Sequence, residues 1–134
     1  MYIRLDRAHR ALPVALGILT LASVAILFLW DAAPRLFPAK SHDVIGAFAL
    51  TMIAVAYLAY QVAHRPSNKD LAKAVMLAVA FLFWAANQLW PDSPRATLYN
   101  DIAIALFVLD IFLVIIGWPA SSSDESFAET DSDA

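Results

Sequence analysis

The sequence predicts an all-α membrane protein whose four transmembrane helices cross the bilayer as an up-down-up-down antiparallel bundle, with both termini inside. Three observations lead there. Of 134 residues, 61% are hydrophobic and 16% charged, against about 45–50% and 25% in soluble domains. The apolar residues fall in four long runs, none alternating polar with apolar as a strand would. All seven prolines stand between these runs or at their ends, as expected of a ring that removes a helical hydrogen bond and clashes with the preceding turn. A water-soluble reading would leave almost no residues to make a wetted surface.

A helix needs about 20 mostly apolar residues to cross a hydrocarbon core roughly 30 Å thick. The first run, 12–30, is interrupted only by Thr20 and Ser23. Arg4, Arg7 and Arg10 precede it as in a signal peptide, but its apolar stretch is too long for one and three more spans follow, so it is read as a retained anchor. The second run, 44–62, carries Thr51 and ends at Gln61 and Val62. The third, 71–90, is wholly apolar from Ala74 to Ala86, and the fourth, 98–118, is broken by Asn100, Asp101 and Asp110. Helix starts are signalled by Ser41, by Ser67 with Asp70 three residues on, and by Ser93-Pro94 as N-cap and first helical residue. The linking segments are short, which favours antiparallel neighbours. Residues 119–134 are serine-rich and hold five acids and no base, the composition of a disordered tail. The rest of the chain is then at +2.

Positive residues set the orientation. With the N-terminus inside, the cytoplasmic segments hold Arg4, Arg7, Arg10, Arg65, Lys69 and Lys73, against Arg35, Lys40 and Arg95 opposite. Such a chain is expected in a plasma membrane of the bacterial inner-membrane kind. Without cysteine it has no disulfide, thiolate metal site or thiol chemistry. No basic cluster points to nucleic acid.

Asp110 asks for an explanation. On the predicted span it lies about 3 Å from the midplane, at 1.5 Å per residue. An ionised aspartate there costs roughly 2.5–3.5 kcal/mol, and such residues mark function by default. No base stands in the central part of any span to neutralise it. Ala103 and Gly117, seven residues to either side, share its face, so it is expected to face the bundle interior or a partner subunit. Thr20 and Tyr57 are the candidates to hydrogen-bond it at matching depth. Together the three form a possible proton or cation site; the alternative is an acid that only holds helices together.

Polar residues also gather toward the outer end: His42 and Asp43, Trp84, Asn87 and Gln88, Asn100 and Asp101. Trp84 is about 9 Å deeper than Trp90, further in than an interfacial belt. These residues could ring a vestibule for a small polar or cationic ligand. Asp43 and Asp101 equally suit first turns, where the helix dipole favours negative charge. One imidazole with a carboxylate falls short of a metal site. His9, His42 and His64 are too far apart to share a haem iron, so neither metal nor cofactor is expected. Alanines every seven residues (Ala49, Ala56, Ala63; Ala78, Ala85) signal close helix packing.

No phosphate loop, paired-histidine motif or nucleophile elbow appears, so the chain is not expected to be an enzyme. Its size is that of the small multidrug exporters and small fluoride channels, but it has no glutamate before Glu125 and only three glycines. No family is assigned. The expectation is an accessory or scaffold subunit whose partners are the bilayer and either further copies of itself or a larger membrane complex. The alternative is an oligomeric proton- or cation-coupled transporter or channel using Asp110.

Overall fold

The computed structural model describes the backbone of residues 2–118 and the side chains of residues 11–118; the acidic tail lies outside them. Four helices follow one another: α1 (Tyr2–Ala32), α2 (Ser41–Ala63), α3 (Asn68–Leu89) and α4 (Ala96–Ile115), with one 3₁₀ turn, Pro34–Leu36, between the first two. Ala11–Ala32 of α1 and the whole of α2, α3 and α4 are long and apolar enough to span a membrane.

The helix ends differ in part from the expected ones. Ser67 caps α3: its hydroxyl accepts the Asp70 N–H at 3.2 Å and donates to Asp70 Oδ2 at 2.7 Å, a variant of the capping box in which the carboxylate takes the serine hydroxyl in place of its backbone N–H. Ser41 instead lies inside α2, whose N-cap is Lys40, and α4 is preceded by Arg95. Ser93 belongs to the turn before it, where its hydroxyl accepts the Arg95 N–H at 3.3 Å. Pro13 stands within α1, not at its edge. The hydrogen bond it removes falls at the start of the apolar segment, where water can replace the lost partner.

At the other end of the chain, α4 stops at Ile115, three residues short of Trp118. Gly117 takes φ +74°, and its N–H donates to Val114 O at 3.0 Å while the Trp118 N–H donates to Leu113 O at 2.9 Å. This pair of bonds is a Schellman motif, which requires the left-handed conformation that glycine adopts without cost.

Packing is sequential. α1 packs on α2, α2 on α3 and α3 on α4, whereas among the described residues no Cα of α1 comes within 8 Å of α3 or α4, nor any of α2 within 8 Å of α4. The helices stand in a row and do not close into a ring. Their contacts are built from small residues: ten alanines form the buried apolar core and no large side chain is fully buried. Gly46, Ala49 and Ala56 share one face of α2, and Gly46 lies beside Gln88 of α3; Ala47 and Ala54 occupy the opposite face. Ala74, Ala78 and Ala85 form one stripe on α3, while Ala80 faces another way. On α4 the buried positions are Ala96, Ala103 and Asp110, spaced by seven. Ala63 is only half-buried, and Gly117 is exposed beyond the helix, so neither belongs to the stripe expected of it.

Large apolar side chains point outward all round; Leu21 and Phe28 are each 70% exposed and Ile115 75%. So much exposed apolar surface is untenable in water and is the natural exterior of an integral membrane protein.

Two substitutions test the small-residue core. A Cβ at Gly46 would meet Gln88 Cδ at 3.9 Å, an ordinary contact. Gly46→Ala is therefore expected to stabilise the protein by about 0.5–1 kcal/mol, the helix-propensity gain. Ala78→Leu forces bulk between close helices and is expected to cost about 1–3 kcal/mol. Unfolding midpoints in detergent would read both, and a neutral Ala78→Leu would defeat the close-packing account.

Candidate functional site

Asp110 is 8% exposed. With α4 ending at Ile115, it stands about 7 Å from the helix midpoint and about 7–8 Å from the helix end. Lys73 lies the same five residues inside the start of α3, and its Nζ comes within 3.9 Å of Asp110 Oδ1. The expectation that no base neutralises Asp110 is thus corrected. The wholly apolar run begins only at Ala74, which places Lys73 with the cytoplasmic charges, but α3 starts at Asn68 and includes Lys73 five residues in. Ala80, seven residues on, shares its face and is buried.

The pair is electrostatic without being a hydrogen bond. At 3.9 Å it exceeds hydrogen-bonding distance, and Asp110 Oδ1, fully enclosed, has no hydrogen-bond partner. Removing either partner leaves the other charge partly enclosed in an apolar layer, where an unpaired charge is costly.

The other candidates for this site are engaged elsewhere. Thr20 is buried, but its hydroxyl donates to Leu16 O of its own helix at 3.0 Å. Ser23, one turn on, does the same to Leu19 O at 2.8 Å. The Tyr57 hydroxyl accepts from Gln61 Nε2 at 3.0 Å. Among the described residues no hydrogen bond joins Thr20 or Tyr57 to Asp110. Lys73 is the candidate-site residue that sequence reasoning misses: on the predicted spans 71–90 and 98–118 it and Asp110 do not match in depth, and they do so only with the observed ends of α3 and α4.

At the opposite end of α3 the expected vestibule residues separate into small groups. His42 Nδ1 lies 3.5 Å from Asp43 Oδ1, and its ring tilts against Trp30 with centroids 4.9 Å apart. The Trp30 indole nitrogen is enclosed and has no hydrogen-bond acceptor. Gln88 covers Gly46. Trp84 packs edge-on against Phe107 at 5.9 Å, and Phe81 meets the same ring at 5.2 Å, so Trp84 contributes to an aromatic α3–α4 contact. Asn87 and Asn100 are half-buried and Asp101 is exposed. A groove of about 210 Å³ does open at this end, lined by Lys40, Asp43 and Val44 from the start of α2 and by residues 89–93. Asp43 alone of the expected vestibule residues lines it. Among the described residues no group of three or more histidines and carboxylates could hold a metal ion.

Known protein families, curated proteins and solved structures were compared with the chain, and none matches.

A double-mutant cycle measures the ion pair. Lys73→Met and Asp110→Asn are each expected to lower stability by about 1–3 kcal/mol, with the double variant losing less than the sum. Strict additivity of unfolding free energies would mean that the two side chains do not interact.

Proposed function

We propose that the chain is a non-enzymatic scaffold or accessory subunit of a plasma-membrane assembly, associating laterally through α1. The observation that carries this reading is a stripe of alanines. Ala11, Ala15, Ala22 and Ala25 fall within about 80° of one another around α1, taking 3.6 residues per turn, and all four are exposed. They lie roughly opposite Thr20 and Ser23, which are buried on the side α1 turns to its neighbour. Alanine stripes on α2 and α3 are covered by adjacent helices. Among the described residues the one on α1, which Ile18 and Leu29 share, has no partner, and small residues are what let helices approach closely in lipid.

The ion pair supports the same reading. Asp110 faces Lys73 within the subunit, so the charge most suggestive of transport is compensated internally and fastens α3 to α4. The proposed topology is up-down-up-down with both termini inside. Three contacts between a helix start and the end of an adjacent helix support its antiparallel sense: Trp30 with His42, Gly46 with Gln88, and Lys73 with Asp110. Setting Lys73 aside, the basic residues still favour N-in by five to three.

A second reading, a proton- or cation-coupled carrier, is favoured by one detail: Asp110 Oδ1 has no hydrogen-bond donor to hold it. An enclosed carboxylate oxygen without a donor leaves an acceptor position open, as an ion pathway requires.

The readings separate by experiment. In mild detergent the wild-type chain is expected to run as a discrete oligomer or stoichiometric complex. Ala15→Leu and Ala22→Leu should break it without lowering the unfolding midpoint, and Asp110→Asn should leave it assembled. A monomer unaffected by the α1 substitutions would sink the scaffold reading. Proton or cation flux in liposomes that vanishes in Asp110→Asn would install the carrier in its place.

A further inference from the structure

We infer that the groove between the start of α2 and the α3–α4 turn binds the head group of a zwitterionic phospholipid, one carrying a primary ammonium beside a phosphodiester. The groove is about 210 Å³, below the roughly 300–1,000 Å³ typical of sites for whole drug-sized ligands. It suits a head group whose chains remain in the bilayer. Its lining divides by chemistry. Lys40 supplies one ammonium, Asp43 and Asp92 supply two carboxylates, and Val44 and Leu89 supply apolar wall. Trp90, 60% exposed, stands at the rim, at the end of a spanning helix where indole rings anchor to the head-group layer.

Charge selects among head groups. The lining sums to −1, counting Lys40 against Asp43 and Asp92. A purely anionic head group would meet more repulsion than attraction, whereas an ammonium finds two carboxylates and its phosphodiester finds Lys40. A primary ammonium donates hydrogen bonds to carboxylates, and a quaternary one cannot. The preferred ligand is therefore phosphatidylethanolamine over phosphatidylcholine, and either over phosphatidylglycerol. A divalent metal is disfavoured, because no third histidine or carboxylate joins the set among the described residues. This inference does not rest on the scaffold reading, since it needs only that the helices span a bilayer.

The test is lipid retention by the full-length protein, released from detergent and weighed by native mass spectrometry after equilibration with equimolar dioleoyl phosphatidylethanolamine and dioleoyl phosphatidylglycerol. Retention of the ethanolamine lipid over the glycerol lipid by about fivefold or more is expected, equivalent to about 1 kcal/mol. The ratio should fall toward one in Asp92→Asn, a turn substitution outside the helix cores, and in Asp43→Asn. Lys40→Ala should lose retention of the ethanolamine lipid. Equal retention of both lipids by wild type, or a ratio unmoved by both carboxylate variants, would overturn the assignment. So would displacement of the lipid by equimolar soluble O-phosphoethanolamine, which would make the occupant a soluble zwitterion.

Discussion

Apolar side chains gain nothing by leaving lipid for a protein interior, since the lipid tails are as apolar as they are. Helices in a bilayer must therefore be held by close contact and by polar pairing. This constraint accounts for the character of the core. Alanines fill it, no large side chain is fully buried, and leucines, isoleucines and phenylalanines are turned outward. In water the arrangement would be inside-out. In lipid the small residues let neighbouring backbones approach, and the large ones meet acyl chains.

Polar groups obey the same constraint. A hydroxyl in an apolar layer must find an acceptor nearby, and Thr20, Ser23 and Thr51 each find one in the carbonyl four residues earlier on their own helix. They are satisfied without reaching across an interface. Asp110 has no such local option because a carboxylate has no N–H or O–H to donate. Its compensation must come from another helix, and Lys73 supplies it. The one charge pair in the apolar layer among the described residues joins two helices, while the hydroxyls serve only their own. α3 thus carries polar features at both ends: Lys73 near its start and the groove around Leu89 and Trp90 at its finish.

Much of the fold was legible because hydropathy is additive along the chain. Four runs of sufficient length give four helices, and the Ser67–Asp70 box announces the start of α3 from local chemistry alone. Among the C-terminal ends, that of α4 differs most, by three residues. Gly117-Trp118 read as the tail of an apolar span, although a glycine before Trp118-Pro119 is also the mark of a Schellman stop. The row arrangement was not legible, because short links favour adjacent helices whether or not the row closes into a ring. At the site, the burial of Asp110 followed from its spacing from Ala103. Its partner did not, because Lys73 sits at the polar edge of an apolar run and was assigned to the aqueous side. Their equal depth emerges only from the observed helix ends, from which both residues lie five positions in.

An open row has two edges, and these two are unlike. α1 sets four exposed alanines beside Ile18 and Leu29 on its free side, whereas the exposed side chains of α4 include Ile104, Val108, Ile111, Phe112 and Ile115. Large side chains hold a neighbouring backbone away, and small ones admit it. On the proposed reading, association therefore belongs to α1, with α4 left to lipid. A contact between α1 of one subunit and α4 of the next would repeat without closing unless the row curved to meet itself, and it would set a small face against a bulky one. Contact of α1 with α1 uses the same stripe twice and closes after two copies, the commonest symmetry of protein assemblies. In such a pair both Lys73–Asp110 bridges lie far from the shared seam, each holding its own α4 at the outer flank.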